Sequence, residues 1–454
     1  MAAAGVSAED LGVPVRPLPR LRYPEDLPPG RFERDFVARS EPCIIEGLAA
    51  DWAAIWDPAC SWLDGRRWDD LLGDEMLDCG FDPEDGRMMH FGDDVGEPSV
   101  LFNPGRLRMP AWAFVEAGRL RQEILRLRRG GEDPSRQPGL RARLGREVEV
   151  QNMPFLSIEQ DSPLQYFAPV RCKMRDLIPL SFYLSHDTFA LPEELRRDLG
   201  PQAPGLLPGW GSPNSSRIWA TNGGPWRAPY PPWSEASVPE PCEDPTIYSC
   251  FHCDRMENLH TLISGEKTVV LVPPGQRDVL RATRFATQRQ WLVAPVPSHS
   301  GDARYLGATQ LTSSQTECSS DQSAVHPLRA AAENRKVSGG AWPDEVDFPV
   351  RLGTLRRGDT LYIPAYHWHW VATRTPAALG LDEGPLAMSV NFWWWPVHND
   401  EAMERWSFQN EEESWRNARI PVPPDRPRPE AAAHARSFRR LTAEQREAAA
   451  VPKA

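Results

Sequence analysis

The chain has 454 residues, 41 % of them apolar and 25 % charged, which suits one large folded domain or two to three small ones and excludes wholesale disorder. Its formal charge of −12 excludes the overall basic field of a non-specific nucleic-acid binder. The eight cysteines lack the paired C-x-x-C knuckles of a zinc ribbon, the N-terminus carries no secretory signal, and no apolar run approaches the roughly 20 residues that span a bilayer. These features predict a soluble intracellular protein with reduced thiols, in cytosol or nucleus and with no membrane partner.

Residues 1–34 are Pro-rich and read as an arm. "PCIIEGLAADW" (42–52) predicts a buried strand entering a helix, and 61–81 a short helix followed by a strand. In 110–131, Trp112, Val115, Leu120, Ile124 and Leu127 recur at helical spacing, with Gly130 as the stop. Residues 119–146 hold nine arginines against three acids. That run reads as a solvated helical face, or as a docking patch for an acidic partner or RNA. "EVEVQNM" (147–153) alternates like a strand.

From 180 to 400 the pattern becomes strands and long loops. The predicted strands are 216–222, 246–254, 258–264, 267–274, 359–373 and 386–396, and "SGEK" (264–267) reads as a tight hairpin turn between two of them. Two insertions, 223–245 and 280–345, read as loops. The tail 401–454 reads as a Pro-rich linker and a charged helix. The order predicts a mainly β fold with some α: a double-stranded β-helix (jelly-roll, cupin-like) barrel with N-terminal helices packed outside. One domain then spans 35–400, helical to about 180 and barrel beyond.

"FHCDRMENLHTLISGEK" (251–267) carries the chemistry. In a strand, residues i and i+2 share a face, so His252 and Asp254 can grip one object. A second histidine would complete a two-His, one-carboxylate triad suited to non-haem Fe(II), although zinc hydrolases also use three protein ligands. "GDTLYIPAYHWHWVATRT" offers His367 and His369, both of one strand parity.

The combination of "HCD…ENL…SGEK…PP", "GDTLYIPAYHWH" and "SVNFWW" resembles the JmjC-domain hydroxylases of the cupin-like superfamily, and most their small members that hydroxylate proteins or modify tRNA. The resemblance implies His252, Asp254 and His369 as ligands of Fe(II), leaving His367 as a packing or neighbouring polar residue. It implies 2-oxoglutarate as cosubstrate and O2 as oxidant, with Lys267 pairing the distal carboxylate of the keto acid and Ser249 touching the same carboxylate. Asn258 and Asn391 match amide positions in that pocket. The resemblance also places a tyrosine in the strand before the barrel, which "EVEVQNM" lacks; Trp219 and "NFWWWP" read as core that can line a chamber. The implied activity is hydroxylation of a protein side chain, or demethylation through hydroxylation. The alternatives are a tRNA-nucleoside hydroxylase and a catalytically silent interaction module. A protein or peptide is the expected partner, RNA the second, and pairing of two chains is compatible with the helical exterior.

Overall fold

The computed structural model describes residues 6–394 except 83–89, 95–96, 104, 154–167, 201–211, 225, 228–237, 243–244, 277–278, 281, 298–303, 324, 326, 329–341, 343–345, 347 and 382; along the strands within 90–103, 283–297 and 304–322 it describes the backbone alone. The predicted tail 401–454 lies outside these residues, as does much of each predicted insertion.

Two β-sheets face each other. In the first, the order runs Val350–Leu355, Glu266–Val272, Trp368–Arg374 and His252–Cys253, with Ile247–Tyr248 also on Trp368–Arg374. In the second it runs Thr360–Ile363, Glu257–Ser264, Ala387–Trp394, Ser215–Thr221 and Ser181–Asp187. Neighbouring strands within each set pair antiparallel. Chain order alternates between the sheets, as in a jelly roll. The fold class is therefore the one the sequence predicts.

The sequence "ENLHTLISGEKTVVLV" shows how the sheets acquire two buried faces. Leu262, Val269, Leu271, Leu361 and Ile363 point inward and fill the closed end of the barrel. The alternate residues Leu259 and Ile263 point outward into a larger core with Trp52, Trp62, Phe114 and Leu120 of the helical layer. On the first sheet, Val270, Val272, Trp368 and Trp370 face outward and are covered by Leu11, Phe251, Trp342 and Phe348. A strand buried on both faces reads as a continuous apolar run, which is why these segments were easy to predict.

Several local expectations are corrected. "SGEK" is not a hairpin: Glu257–Ser264 and Glu266–Val272 belong to different sheets, and the turn is a corner between them. Gly265 has φ +86°, and a Cβ there would lie 2.5 Å from the Arg374 carbonyl oxygen. The predicted strands 246–254 and 359–373 each break in two, the second into Thr360–Ile363 and Trp368–Arg374 on opposite sheets. The insertion 280–345 is not simply a loop, because Ala282–Pro297 and Arg304–Ser323 pair as a long antiparallel ribbon that joins the first sheet beside His252–Cys253. The part before 180 is not only helical: Cys43–Glu46, Met76–Asp82, Gly105–Pro110, Glu147–Asn152 and Val170–Lys173 are strands extending the second sheet. Nor is 1–34 a free arm, since Val15–Pro17 pairs in parallel with Val350–Leu352.

The predicted helix is present as Ala111–Arg129. Its Gly118 permits close approach, because a Cβ there would lie 2.7 Å from Leu386 Cδ2. Several arginines of the run take part in the fold. Arg121 is 2 % exposed and donates to the carbonyls of Ile178, Leu180, Asn222, Gly223 and Gly224. Arg119 pairs with Asp69, Arg143 with Glu116 and Glu123, and Arg136 with Asp133. Arg129 donates to the Ala377 carbonyl, and Arg146 lies over the Trp112 ring. Arg126, Arg129, Arg136, Arg141 and Arg146 stay exposed at the surface.

Candidate active site

Register creates a candidate metal centre. His252 and His369 stand directly opposite each other on adjacent antiparallel strands, so both imidazoles leave the sheet on one side. Their ring centroids are 4.0 Å apart. Asp254, just past the two-residue strand, brings Oδ2 to 3.8 Å from His369 Nε2. One ligand atom from each of the three lies within 4.8 Å of the others, spacing that suits one shared ion.

Both rings are held in the tautomer a metal requires. His252 Nδ1 lies 3.0 Å from the Cys250 carbonyl oxygen, and His369 Nδ1 lies 3.1 Å from that of His367. A carbonyl only accepts, so Nδ1 carries the proton and the Nε2 lone pair is free for a metal. Burial, with His252 beside it, pushes the His369 pKa down to about 4 despite Asp254, so the ring is neutral at ordinary pH. Trp393 Nε1 donates to Asp254 Oδ2 at 3.2 Å and fixes the carboxylate.

The turn before His369 is braced from below. Glu257 faces away from the metal and accepts from the Tyr362 hydroxyl at 2.7 Å and from the Ala365 N–H at 3.1 Å. Burial raises its pKa to about 7. Tyr366, at φ +66°, donates its N–H to the Asp254 carbonyl at 2.7 Å, tying the two ligand-bearing segments together. His367 belongs to this turn rather than to the strand. It is buried, its Nδ1 has no partner, and burial pushes its pKa down to about 3.

Behind the triad the facing walls of the two sheets carry polar side chains. On the first sheet Lys267 sits opposite Thr373, and four residues along Leu271 sits opposite His369, so Lys267 and His369 share a face. Lys267 is 1 % exposed, and no carboxylate pairs with it among the described residues. Burial pulls its pKa down to about 7. Its Nζ lies 5.9 Å from the centre of the Tyr183 ring. On the facing sheet Asn391 Nδ2 donates to Asn258 Oδ1 at 2.7 Å, while Asn258 Nδ2 and Asn391 Oδ1 are buried without partners. The Ser249 hydroxyl oxygen accepts from the Val371 N–H at 2.9 Å, which leaves its O–H to donate.

A family model described as a cupin-like domain matches residues 142–400, more than half of the chain. The chain belongs to the JmjC-like cupin family. No curated protein matches it.

Within this cupin-like domain, the structure brings His252, Asp254 and His369 together at one end of the chamber and places Lys267, Asn258 and Asn391 along it. Sequence reasoning missed two lining residues, Tyr183 and His260. Tyr183 answers the missing tyrosine: the strand next to Ser215–Thr221 is Ser181–Asp187, not "EVEVQNM", and its "SFYLSHD" alternation was legible. Trp219 is half-buried rather than core, with its ring 5.5 Å from Tyr183 and 6.5 Å from Trp393. His260, 7 % exposed with Nε2 unpartnered, had no local signal beyond its two-residue spacing from Asn258. Cys250 and Cys253 are spaced as C-x-x-C, and both are buried cysteines outside any disulfide.

Proposed function

We propose that this chain is an Fe(II)- and 2-oxoglutarate-dependent dioxygenase that hydroxylates a protein side chain, directly or on the way to demethylation, with residues 35–400 as the catalytic unit. The observation that carries the reading is Lys267. A buried ammonium without an anion is costly, and it lies on the wall that also carries His369, where a carboxylate ligand would neutralise it. The donor set fits the metal: two neutral imidazoles with free Nε2 lone pairs and one carboxylate leave coordination places open for a chelating keto acid.

Bound Fe(II) would supply the redox chemistry that couples decarboxylation of 2-oxoglutarate to succinate with hydroxylation of a C–H bond. The chain's own groups position and shield. Asn258 and Asn391 present their spare amide atoms to the cosubstrate, Lys267 anchors its far carboxylate, and Tyr183 covers the ammonium. Trp393 orients Asp254, and with Trp219 gives the chamber an aromatic wall that limits water. Purified protein, Fe(II), ascorbate and 2-oxoglutarate should form succinate, faster with a peptide that carries the target side chain. No succinate with any peptide, together with no 2-oxoglutarate binding by the metal-loaded protein, would refute the assignment.

A further inference from the structure

On the inner face of Glu257–Ser264, one residue has chemistry that none of the roles above uses. His260 lies two positions from Asn258, stands directly opposite Asn391, and faces the chamber beside Leu361. At 7 % exposure its Nε2 makes no hydrogen bond, next to the equally unpartnered Asn258 Nδ2 and Asn391 Oδ1. Unsatisfied buried polar atoms are rare in folded proteins, and three on neighbouring rungs of one face indicate a polar ligand. Packing alone asks for an apolar side chain, which is what the same face carries at Leu262 and Leu361.

We infer that His260 binds the cosubstrate: its Nε2–H donates a hydrogen bond to the distal carboxylate that Lys267 pairs. This rests on reading the chamber as a 2-oxoglutarate site. Burial, Lys267 and His369, in that order of effect, all hold the His260 ring in its neutral form. His260 and Lys267 flank the corner at Gly265 that joins the two sheets, five residues before it and two after. A neutral donor there adds direction to the carboxylate's recognition without burying a second positive charge.

The test uses full-length protein loaded with Mn(II) without oxygen and follows tryptophan fluorescence on titration with 2-oxoglutarate or oxalate. Oxalate chelates the metal but has no distal carboxylate to recognise. His260→Asn, whose amide stops short of the Nε2 position, should weaken 2-oxoglutarate about tenfold and leave oxalate and Mn(II) affinity unchanged. His260→Gln, whose amide reaches that position, should stay within about threefold of wild type. The inference is overturned if His260→Asn binds 2-oxoglutarate like wild type, or if it loses 2-oxoglutarate and oxalate equally. If wild-type protein binds oxalate and never 2-oxoglutarate, the cosubstrate assignment itself falls, and this inference with it.

Discussion

If Lys267 receives the distal carboxylate, cosubstrate binding must take up a proton above neutral pH. Burial lowers the Lys267 pKa from 10.5 to about 7. That shift is worth roughly 5 kcal/mol at about 1.4 kcal/mol per unit. At pH 8, then, about one unliganded molecule in ten carries the ammonium, and at pH 9 about one in a hundred. A carboxylate restores the charge on binding, so 2-oxoglutarate affinity should fall about tenfold per unit above pH 7. Calorimetric titration of Mn(II)-loaded protein without oxygen, at pH 8 in two buffers of different ionisation enthalpy, should report uptake of nearly one proton. Lys267→Arg keeps its charge throughout this range and should remove both the slope and the uptake. Equal slopes in wild type and Lys267→Arg would refute the reasoning, because the proton would then belong to another group. The same linkage acts on the unliganded fold. Its folded-state pKa lies below the unfolded one, so stability is lost as pH falls from 10.5 through about 7.

Four further outcomes are expected. His369→Ala should abolish metal retention, measured by metal analysis after anaerobic loading, while His367→Ala should retain the metal; the reverse would overturn the assignment of the third ligand. Trp393→Phe removes the N–H that holds Asp254 and keeps the ring, and should weaken metal binding about tenfold in a Mn(II) titration. Glu257 has a folded pKa raised from 4.5 to about 7, so its contribution is complete below pH 4.5 and lost as pH rises to 7. Urea unfolding should therefore show Glu257→Gln gaining about 3 kcal/mol on wild type across that window, and no gain would mean the carboxyl is not buried as described. Arg121→Met leaves buried carbonyls without donors and should cost about 3 kcal/mol in the same assay.

How much of this was legible in the sequence follows from how each feature is encoded. The proposed metal ligands His252 and Asp254 were legible because strand geometry and coordination chemistry both act on a two-residue spacing. Lys267 was legible because one corner turn separates it from the same motif. "SGEK" looked like a hairpin because glycine at positive φ serves any tight reversal; whether the two strands pair with each other or with strands about 100 residues away is decided by non-local partners. Strand 181–187 escaped attention for a related reason: its partner lies at 215–221, and only that pairing carries Tyr183 toward Lys267. "NFWWW" gave aromatic residues without assigning faces. Register does that, turning Trp393 toward Asp254 and Trp394 toward the outer core. The ribbon at 282–323 was obscured by its polar composition, which lacks the apolar alternation by which strands are recognised. Within the arginine run one residue departs from the expected solvated face. Charge in a sequence suggests solvent or a partner, yet Arg121 is committed to backbone carbonyls from two segments that no local pattern connects to the helix. Ligand identity is therefore local information in this fold, while the shape and polarity of the chamber behind the ligands depend on pairing between distant strands. Substitutions at Tyr183, Trp393 and His260 for this reason test the chamber more stringently than further changes at the triad.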